Sequence, residues 1–145
     1  TEITFWHAMG QKTTYILEEI ITEFNKFYPN IKVNVAYQGS YDDLRDKIQK
    51  SIRVGNQPTI AQAYPDHISL YMTADAVVDL EKYINNSFYG LTKEQLDDYI
   101  DSYLKECQIY GNDSLYSLFF NFGNYYGRYY HSAVRKLFGS LNFLG

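Results

Sequence analysis

The sequence predicts an α/β fold, a lobe in which a mainly parallel sheet is flanked by helices. Short runs of alternating apolar residues, typical of strands, are each followed by a segment with apolar residues at helical spacing. The order strand–helix occurs three times in the first half of the chain. This alternation favours parallel strands joined by right-handed crossovers. With 145 residues, 46% of them hydrophobic, the chain is long enough to form a domain with a real core.

The first strand is predicted over residues 2–6 and the first helix over residues 14–28, where Pro29-Asn30 ends it. The helix is expected to bury one stripe of apolar residues: Leu17, Ile20, Ile21, Phe24, Phe27 and Tyr28. The second strand carries apolar residues at alternate positions, so one of its faces is predicted to be buried. These residues are Ile31, Val33, Val35 and Tyr37.

The second helix has agreeing signals at both ends. Ser40 is a favourable N-cap after the turn at Gly39, and Asp42 and Asp43 lie in the first turn, where acidic residues are stabilising. Gly55 is expected to end the helix. The apolar stripe consists of Leu44, Ile48 and Ile52.

The remaining elements are predicted from shorter patterns. Residues 59–64 form a third strand, and Pro65 begins a helix that ends near Met72. Residues 77–84 are either a strand edge or a turn of helix. Thr92 and Gln95 form a capping box for a helix that continues to about residue 106. Residues 108–110 and 115–121 are predicted to form a hairpin around a turn at residues 111–114.

Large polar and aromatic side chains follow the predicted strands at their carboxyl ends, where ligands bind to parallel sheets. The candidate ligand-binding residues are Trp6, His7, Tyr41, Tyr64, Asp66 and His67. The indole of Trp6 suits stacking on a sugar face, and the alternative is that it closes the top of the core. His7 either donates to a ligand oxygen or bonds to the backbone at the rim. Asp66 either accepts hydrogen bonds from ligand hydroxyls, caps a helix, or does both.

Several functional classes lack support in the sequence. The net charge of −4 and the absence of a basic run argue against nucleic acid. We expect no catalytic residues, metal site or cofactor, because no nucleophile elbow, zinc spacing or phosphate-binding glycine motif occurs. The paired carboxylates Asp42-Asp43 and Asp97-Asp98 are helix neighbours that point in different directions. The single cysteine, Cys107, excludes an internal disulfide, and no apolar run approaches the roughly 18 residues of a membrane helix.

Three motifs together resemble the extracellular solute-binding proteins of ABC importers, in the branch that binds carbohydrates and glycerol 3-phosphate. They are FWHAM at residues 5–9, YQGSY at residues 37–41 and VGNQPTIAQAYPDH at residues 54–67. EIITEFNKFYPNI at residues 19–31 and YSLFFN at residues 116–121 extend the resemblance, although the family usually has Pro where this chain has Phe119. The match covers residues 3–121. It is specific as a set, whereas each motif alone is weak.

The resemblance implies a two-lobed clamp with the solute bound in the cleft between the lobes. Residues 1–121 would be a segment of the N-terminal lobe, and residues 122–145 a divergent tail. The partners would be a small solute and the membrane subunits of an importer, with the protein outside the cytoplasm, periplasmic or a cell-surface lipoprotein. Because the sequence begins at Thr1, we expect a processed or trimmed form. A lobe without its counterpart would expose an apolar face and could self-associate.

The departures from the family pattern bear on the ligand. Members that bind glycerol 3-phosphate carry a Glu directly after the tyrosine that matches Tyr64, and this chain has Pro65 there. The serine run that they carry is also absent near residues 122–124. These differences favour a neutral sugar or oligosaccharide. A glycerophosphate or glycerophosphodiester ligand, and a stand-alone α/β interaction module without a transport role, are the alternatives.

Overall fold

The structure is a computed structural model that describes residues 1–97, 105, 107, 108, 110 and 114–118. The chain divides into two compact units, Thr1–Ala76 and Val77–Gly145. The first unit contains the sheet and all six candidate ligand-binding residues, and the described part of the second unit is helical or irregular. Within the described ranges, no helix has both the length and the apolar character required to cross a bilayer.

The sheet has three strands, β1 (Glu2–His7), β2 (Lys32–Tyr37) and β3 (Ile60–Ala61), in the order β2-β1-β3. Both pairings with the central strand β1 are parallel, which confirms the predicted α/β class. The prediction of a third strand over residues 59–64 was too long. Only Ile60 and Ala61 pair with β1, and the chain then leaves the sheet to begin a helix at Pro65, which has no backbone N–H for a sheet ladder.

Helix α1 (Gln11–Phe27) supplies more buried hydrophobic residues to the first unit than any other single element. Its predicted stripe is buried at four positions, Leu17, Ile20, Ile21 and Phe24. Phe27 was wrongly placed in that stripe, because its side chain is 56% exposed. Phe27 is the last helical residue, and the Tyr28 ring packs over Phe24 instead, with ring centroids 4.8 Å apart.

The prediction that one face of β2 is buried was wrong. Its four central residues are all of intermediate exposure, and Tyr37 at its end is exposed. The central strand shows the alternation that β2 lacks, with Ile3, Phe5 and His7 buried on one face. The reason is position, since β2 is an outer strand of the described sheet and β1 has a neighbour on each side.

Helix α2 (Tyr41–Arg53) begins with a complete capping box. The Asp43 N–H donates to Ser40 Oγ at 3.2 Å, and the Ser40 N–H donates to Asp43 Oδ2 at 2.9 Å. Gly39 precedes the cap with φ +99°, where a Cβ would lie 2.6 Å from Asp43 Oδ2. Leu44 and Ile48 are buried, whereas Ile52 is of intermediate exposure, and Gly55 follows the helix with φ +71°. The predicted start and glycine stop are therefore confirmed, and the predicted stripe is buried at two of its three positions.

Helix α3 (Pro65–Met72) matches its predicted bounds, but its N-cap is Tyr64 rather than Asp66. Asp66 is the second helical residue, because Pro65, with its fixed φ, takes the first position. The helix buries His67, Ile68 and Tyr71 on one face. The capping role considered for Asp66 is therefore wrong.

The second unit contains α4 (Glu81–Ile84) and α5 (Lys93–Asp97). Residues 77–84 thus contain a turn of helix, the second of the two alternatives. Ile84, Cys107 and Leu115 form a small core, and Leu96 packs against it. The predicted capping box of α5 is present, with the Thr92 N–H donating to Gln95 Oε1 at 2.8 Å and the Gln95 N–H donating to Thr92 Oγ1 at 3.2 Å.

The predicted hairpin is absent from the residues that the structure describes. Gln108 and Tyr110 lie in turns, and residues 114–118 form no strand. Leu115 instead accepts a hydrogen bond from the Leu80 N–H at 2.8 Å, which holds this segment beside the start of α4. The predicted end of α5 near residue 106, the rest of the hairpin and the tail at 122–145 lie outside the described residues.

Candidate ligand-binding site

All six residues predicted to bind ligand lie at the carboxyl ends of the three strands or in the segments that follow those ends. Trp6 and His7 end β1, Tyr41 begins α2 after β2, and Tyr64 caps α3 after β3. Because the strands are parallel, these ends meet at one edge of the sheet. The sequence therefore located the edge correctly, and the contacts at that edge decide which side chains face outward.

A stacked pair of tyrosines is the main feature of this edge. The rings of Tyr41 and Tyr64 lie nearly parallel, with centroids 4.2 Å apart and an interplanar angle of 23°. Tyr64 remains 49% exposed, and Tyr41 is half-buried beneath it. Each ring is fixed at the start of a helix, so the pair forms a preorganised aromatic surface that is open on the Tyr64 side.

Gln62 organises this pair, and the sequence analysis did not single it out. Its Oε1 accepts from the Ala8 N–H at 3.0 Å, and its Nε2 donates to the Tyr41 hydroxyl at 2.6 Å. Its backbone N–H donates to the Trp6 carbonyl at 2.9 Å. One glutamine thus joins the end of β1, the start of α2 and the end of β3. The available signal was its position two residues before Tyr64, on the same side of an extended chain.

His67 is a buried residue that packs against the pair of tyrosines. Its ring packs edge-on against Tyr64, with centroids 5.5 Å apart, and its side chain is buried. We call Tyr41, Gln62, Tyr64 and His67 the tyrosine cluster. Asp66 is exposed beside it, with Oδ2 4.0 Å from His67 Nε2. This distance is at the limit of an ion pair.

Burial raises the pKa of Tyr41, and the neighbouring Tyr64 raises that pKa further. The Tyr41 phenol therefore keeps its proton throughout the neutral range. A neutral phenol has one O–H to donate and an oxygen that accepts. The Tyr41 hydroxyl can consequently form a hydrogen bond with a ligand while it remains uncharged.

His7 does not face the solvent, although the sequence analysis placed it among the ligand-binding candidates. Its side chain is 1% exposed, and Nδ1 accepts a hydrogen bond from the Met9 N–H at 3.2 Å. Burial lowers the pKa of His7. The ring packs near Tyr37, with centroids 5.8 Å apart. These contacts match the backbone-bonded alternative that was considered for this residue.

Trp6 lies next to His7 on β1 and, by strand alternation, on the opposite face of the sheet. It is partly exposed, in contrast to the buried His7. Its backbone is joined to Gln62, so the last residues of β1 are anchored to the tyrosine cluster. Its intermediate exposure is compatible with either alternative, stacking on a ligand or closing the top of the core.

The charged groups at this edge are mainly acidic, and two cations accompany them: Arg45, and Lys47, whose Nζ donates to the carbonyl of the residue after β2 at 2.9 Å. Asp42 and Asp66 are exposed in the first turns of α2 and α3. The Arg45 guanidinium is engaged by Asp42 and Asp46, each at 2.8 Å. Across the described part of the chain, no group of three or more potential metal ligands comes together. The edge therefore offers aromatic faces, amide and phenol groups and exposed carboxylates.

Comparison with known proteins agrees with this architecture. The model of the family described as bacterial extracellular solute-binding protein matches residues 19–136, well over half of the chain. The sn-glycerol-3-phosphate-binding periplasmic protein of Pectobacterium atrosepticum is 29% identical over 77 residues, which are 53% of this chain and 17% of that protein. The chain therefore matches less than a fifth of this relative's length.

Two solved structures share the fold. A family 1 extracellular solute-binding protein from Alicyclobacillus acidocaldarius superposes with a TM-score of 0.54 and 25% identity, over 70% of this chain and 26% of that one. A maltose/maltodextrin-binding domain from Bdellovibrio bacteriovorus, bound to maltotriose, superposes with a TM-score of 0.61 and 20% identity, over 79% of this chain and 27% of that one. This family consists of solute-binding proteins rather than enzymes. The chain belongs to the bacterial extracellular solute-binding protein family.

Proposed function

We propose that this chain forms part of the substrate-binding component of an ABC importer and contributes one wall of a site for a sugar or oligosaccharide. The observation that carries the proposal is the stacked pair Tyr41 and Tyr64 at the carboxyl edge of a parallel sheet. Aromatic faces complement the apolar C–H patches of a sugar ring, and phenol and amide groups bond its hydroxyls. Tyr64 would stack on the ligand, since it is the exposed member of the pair.

The charges at the edge favour a neutral ligand over a phosphate ester. The exposed carboxylates of Asp42 and Asp66 would repel a phosphate. Arg45 is already paired with two carboxylates, and the Lys47 ammonium donates to the Gln38 carbonyl at 2.9 Å. A sugar hydroxyl, in contrast, can donate to Asp66, and hydrogen bonds to carboxylates are stronger than neutral ones.

The six predicted residues take different parts in this proposal. Trp6, Tyr41, Tyr64 and Asp66 would contact the ligand directly, because they are exposed or partly exposed. His7 and His67 would support them from behind, because both are buried. The protein would act outside the cytoplasm, and closure around the solute would be read by the importer's membrane subunits.

One alternative has a specific observation in its favour. The Pectobacterium atrosepticum relative is named for binding sn-glycerol 3-phosphate, so a phosphate ester is the second candidate ligand. The two ligand classes respond differently to salt, because charge–charge attraction at an exposed site is screened and stacking is not. Ionic strength therefore separates them in a single titration series.

The test is calorimetric titration of the full chain with maltotriose and with sn-glycerol 3-phosphate, each at low and at high salt. We expect maltotriose to bind with little salt dependence and Tyr64→Ala to weaken that binding by about 1–3 kcal/mol. Tyr15→Ala is the matched control, since Tyr15 on α1 is 44% exposed and Tyr64 is 49% exposed. Salt-sensitive binding of sn-glycerol 3-phosphate alone would support the second candidate. Equal effects of the two alanine substitutions would contradict the proposed role of Tyr64.

A further inference from the structure

The hydrogen bonds of Gln62 have a fixed direction. A backbone N–H can only donate, so the atom that meets the Ala8 N–H at 3.0 Å must be the amide oxygen of Gln62. The amide nitrogen is then the atom that faces the Tyr41 hydroxyl at 2.6 Å, and a primary amide nitrogen can only donate. The usual ambiguity between the oxygen and nitrogen of a glutamine side chain is thereby removed.

This direction determines where the Tyr41 proton points. The Tyr41 oxygen accepts from Gln62, so its own O–H is directed away from Gln62. Its remaining neighbour in the cluster is Tyr64, which stacks on it. If Tyr41 donates to the Tyr64 oxygen, the Tyr64 O–H points onward in turn. In either case the outer end of the chain is an O–H donor.

We propose that Gln62 is a positioning residue that sets the direction of a hydrogen-bond chain from the Ala8 amide through Tyr41. As a result, the carboxyl edge of the sheet presents an O–H donor to the ligand. This inference rests on the proposed function for its biological meaning. It specifies that the ligand group at this point accepts a hydrogen bond, as a ring, glycosidic or hydroxyl oxygen does. An ammonium group or another donor-only group would be disfavoured, because it would leave the outward O–H without an acceptor.

Two substitutions of Gln62 separate the effect of hydrogen-bond direction from the effect of side-chain shape. Gln62→Glu keeps the shape and can still accept from Ala8, but its carboxylate accepts from Tyr41 as well and reverses the Tyr41 O–H. Gln62→Met keeps the approximate length and removes both hydrogen bonds. Gln57→Glu is the matched control, because it places the same charge on an exposed glutamine in the loop before β3.

The first readout needs no ligand. In the full chain with ¹³C-labelled tyrosine at pH 7, we expect Gln62→Glu to move the Tyr41 Cζ resonance towards the phenolate position, because the phenol then donates to a carboxylate. Tyr41→Phe assigns the resonance, and Gln57→Glu should leave it unchanged. Equal shifts in the two glutamate variants, or none in either, would overturn the inference.

Hydrogen exchange at the Ala8 amide provides the second readout. Gln62→Glu should keep this amide protected, whereas Gln62→Met should accelerate its exchange about five- to tenfold, the scale of one lost hydrogen bond. If both variants exchange at the wild-type rate, Gln62 does not hold the Ala8 N–H and the chain does not exist. If Gln62→Met fails to fold, Gln62→Glu still tests the inference through two measurements. These are the protection of its Ala8 amide and the shift of its Tyr41 Cζ resonance.

Titration with maltotriose distinguishes this inference from the proposed function. If wild-type protein binds maltotriose, Gln62→Glu should weaken binding at least about tenfold, through loss of the outward donor, and Gln57→Glu should not. Unchanged affinity in Gln62→Glu would overturn the role in ligand selection. Absence of binding by the wild type would count against the sugar proposal, while the two ligand-free readouts would still establish or refute the direction of the chain.

Discussion

Helices α2 and α3 begin at the same edge of the sheet, and their first turns satisfy the backbone in different ways. At the third position α2 has Asp43, which completes a capping box with Ser40, and α3 has the buried His67. The N-cap of α3, Tyr64, makes no side-chain capping bond, and Pro65 simply removes one N–H that would need a partner. The start of α2 is thus stabilised by its own residues, whereas that of α3 depends on packing against Tyr41 and the core.

The candidate site therefore has two sides that are held differently. The rigid side is Tyr41, whose helix is capped by its own residues, and the dependent side is Tyr64, whose position relies on packing. Tyr41 is held by the capped helix and by Gln62, and Tyr64 is held largely by Tyr41. Disturbing the start of α2 should therefore also disturb Tyr64. The reverse effect should be weaker, because the cap of α2 does not involve α3.

The largest expected effects come from the fourth position of each helix, where Leu44 and Ile68 are buried. Leu44→Ala and Ile68→Ala should each lower the free energy of unfolding by about 2–5 kcal/mol, through lost burial and a cavity. Urea unfolding measures the loss. Val54→Ala, at an exposed residue, is the control and should change stability by less than about 0.5 kcal/mol. A loss near the control value for Leu44→Ala would show that α2 is not packed as described.

Ser40→Ala should have the next largest effect. Removing the hydroxyl that accepts from the Asp43 N–H should cost about 0.5–2 kcal/mol. Ser69→Ala is the control, because the Ser69 hydroxyl bonds the Pro65 carbonyl within α3 at 3.3 Å. Urea unfolding gives the stabilities, and NMR line widths of Tyr64 report the dependent side. Similar losses in both variants would remove the distinction between the two helices.

Tyr71→Phe tests α3 with a substitution that is expected to stabilise the protein. The Tyr71 hydroxyl is buried without a hydrogen-bond partner among the described residues, so its removal should stabilise the protein by up to about 1 kcal/mol. Burial raises the pKa of Tyr71 from 10.0 to about 12. The folded state therefore binds this proton more tightly, and the resulting stability is complete below pH 10 and is lost as the pH rises towards about 12.

Urea unfolding of wild type and Tyr71→Phe between pH 8 and 12 measures both effects. The wild type should lose more stability than the variant over this interval. A variant that is less stable than the wild type at pH 8 would indicate that the hydroxyl has a partner and that α3 is better satisfied than described.

The smallest expected effect is the acid dependence of the α2 cap. Hydrogen bonds from the Ser40 side chain and backbone lower the pKa of Asp43 below 3.8. The stability that this carboxylate contributes is therefore present above pH 3.8 and is lost as the pH falls through its lowered pKa. Asp43→Asn should flatten the urea midpoint between pH 5 and 2.5 relative to wild type. Parallel pH profiles would show that the cap is not formed in solution.

Local chemistry made much of the fold predictable. The cap of α2 is encoded by Ser40 and Asp43, and the start of α3 by Pro65, so both helices could be located from the sequence. The length of β3 and the exposure of β2 could not, since they depend on which strands become neighbours. A period-two pattern states that a strand has two faces and leaves open whether a partner covers either face.

The candidate site, like the fold, was predictable from the sequence only in part. Strand ends identified the edge and its aromatic residues, because parallel topology fixes where connections emerge. Side-chain direction within that edge was not available, so His7 and Trp6 were treated alike although only His7 is buried. Gln62 was missed because its importance lies in joining Ala8 to Tyr41, residues that are far from it in the chain.

Trp6 is the only tryptophan of the chain, and it is the penultimate residue of the central strand, with its backbone joined to Gln62. Excitation at the red edge of the ultraviolet band, where the sixteen tyrosines absorb little, therefore selects one emitter at a known place. Its partial exposure makes both its emission wavelength and its quenching by iodide sensitive to local change. The protein thus contains its own optical reporter for the edge of the sheet, and no dye or added label is needed to follow it.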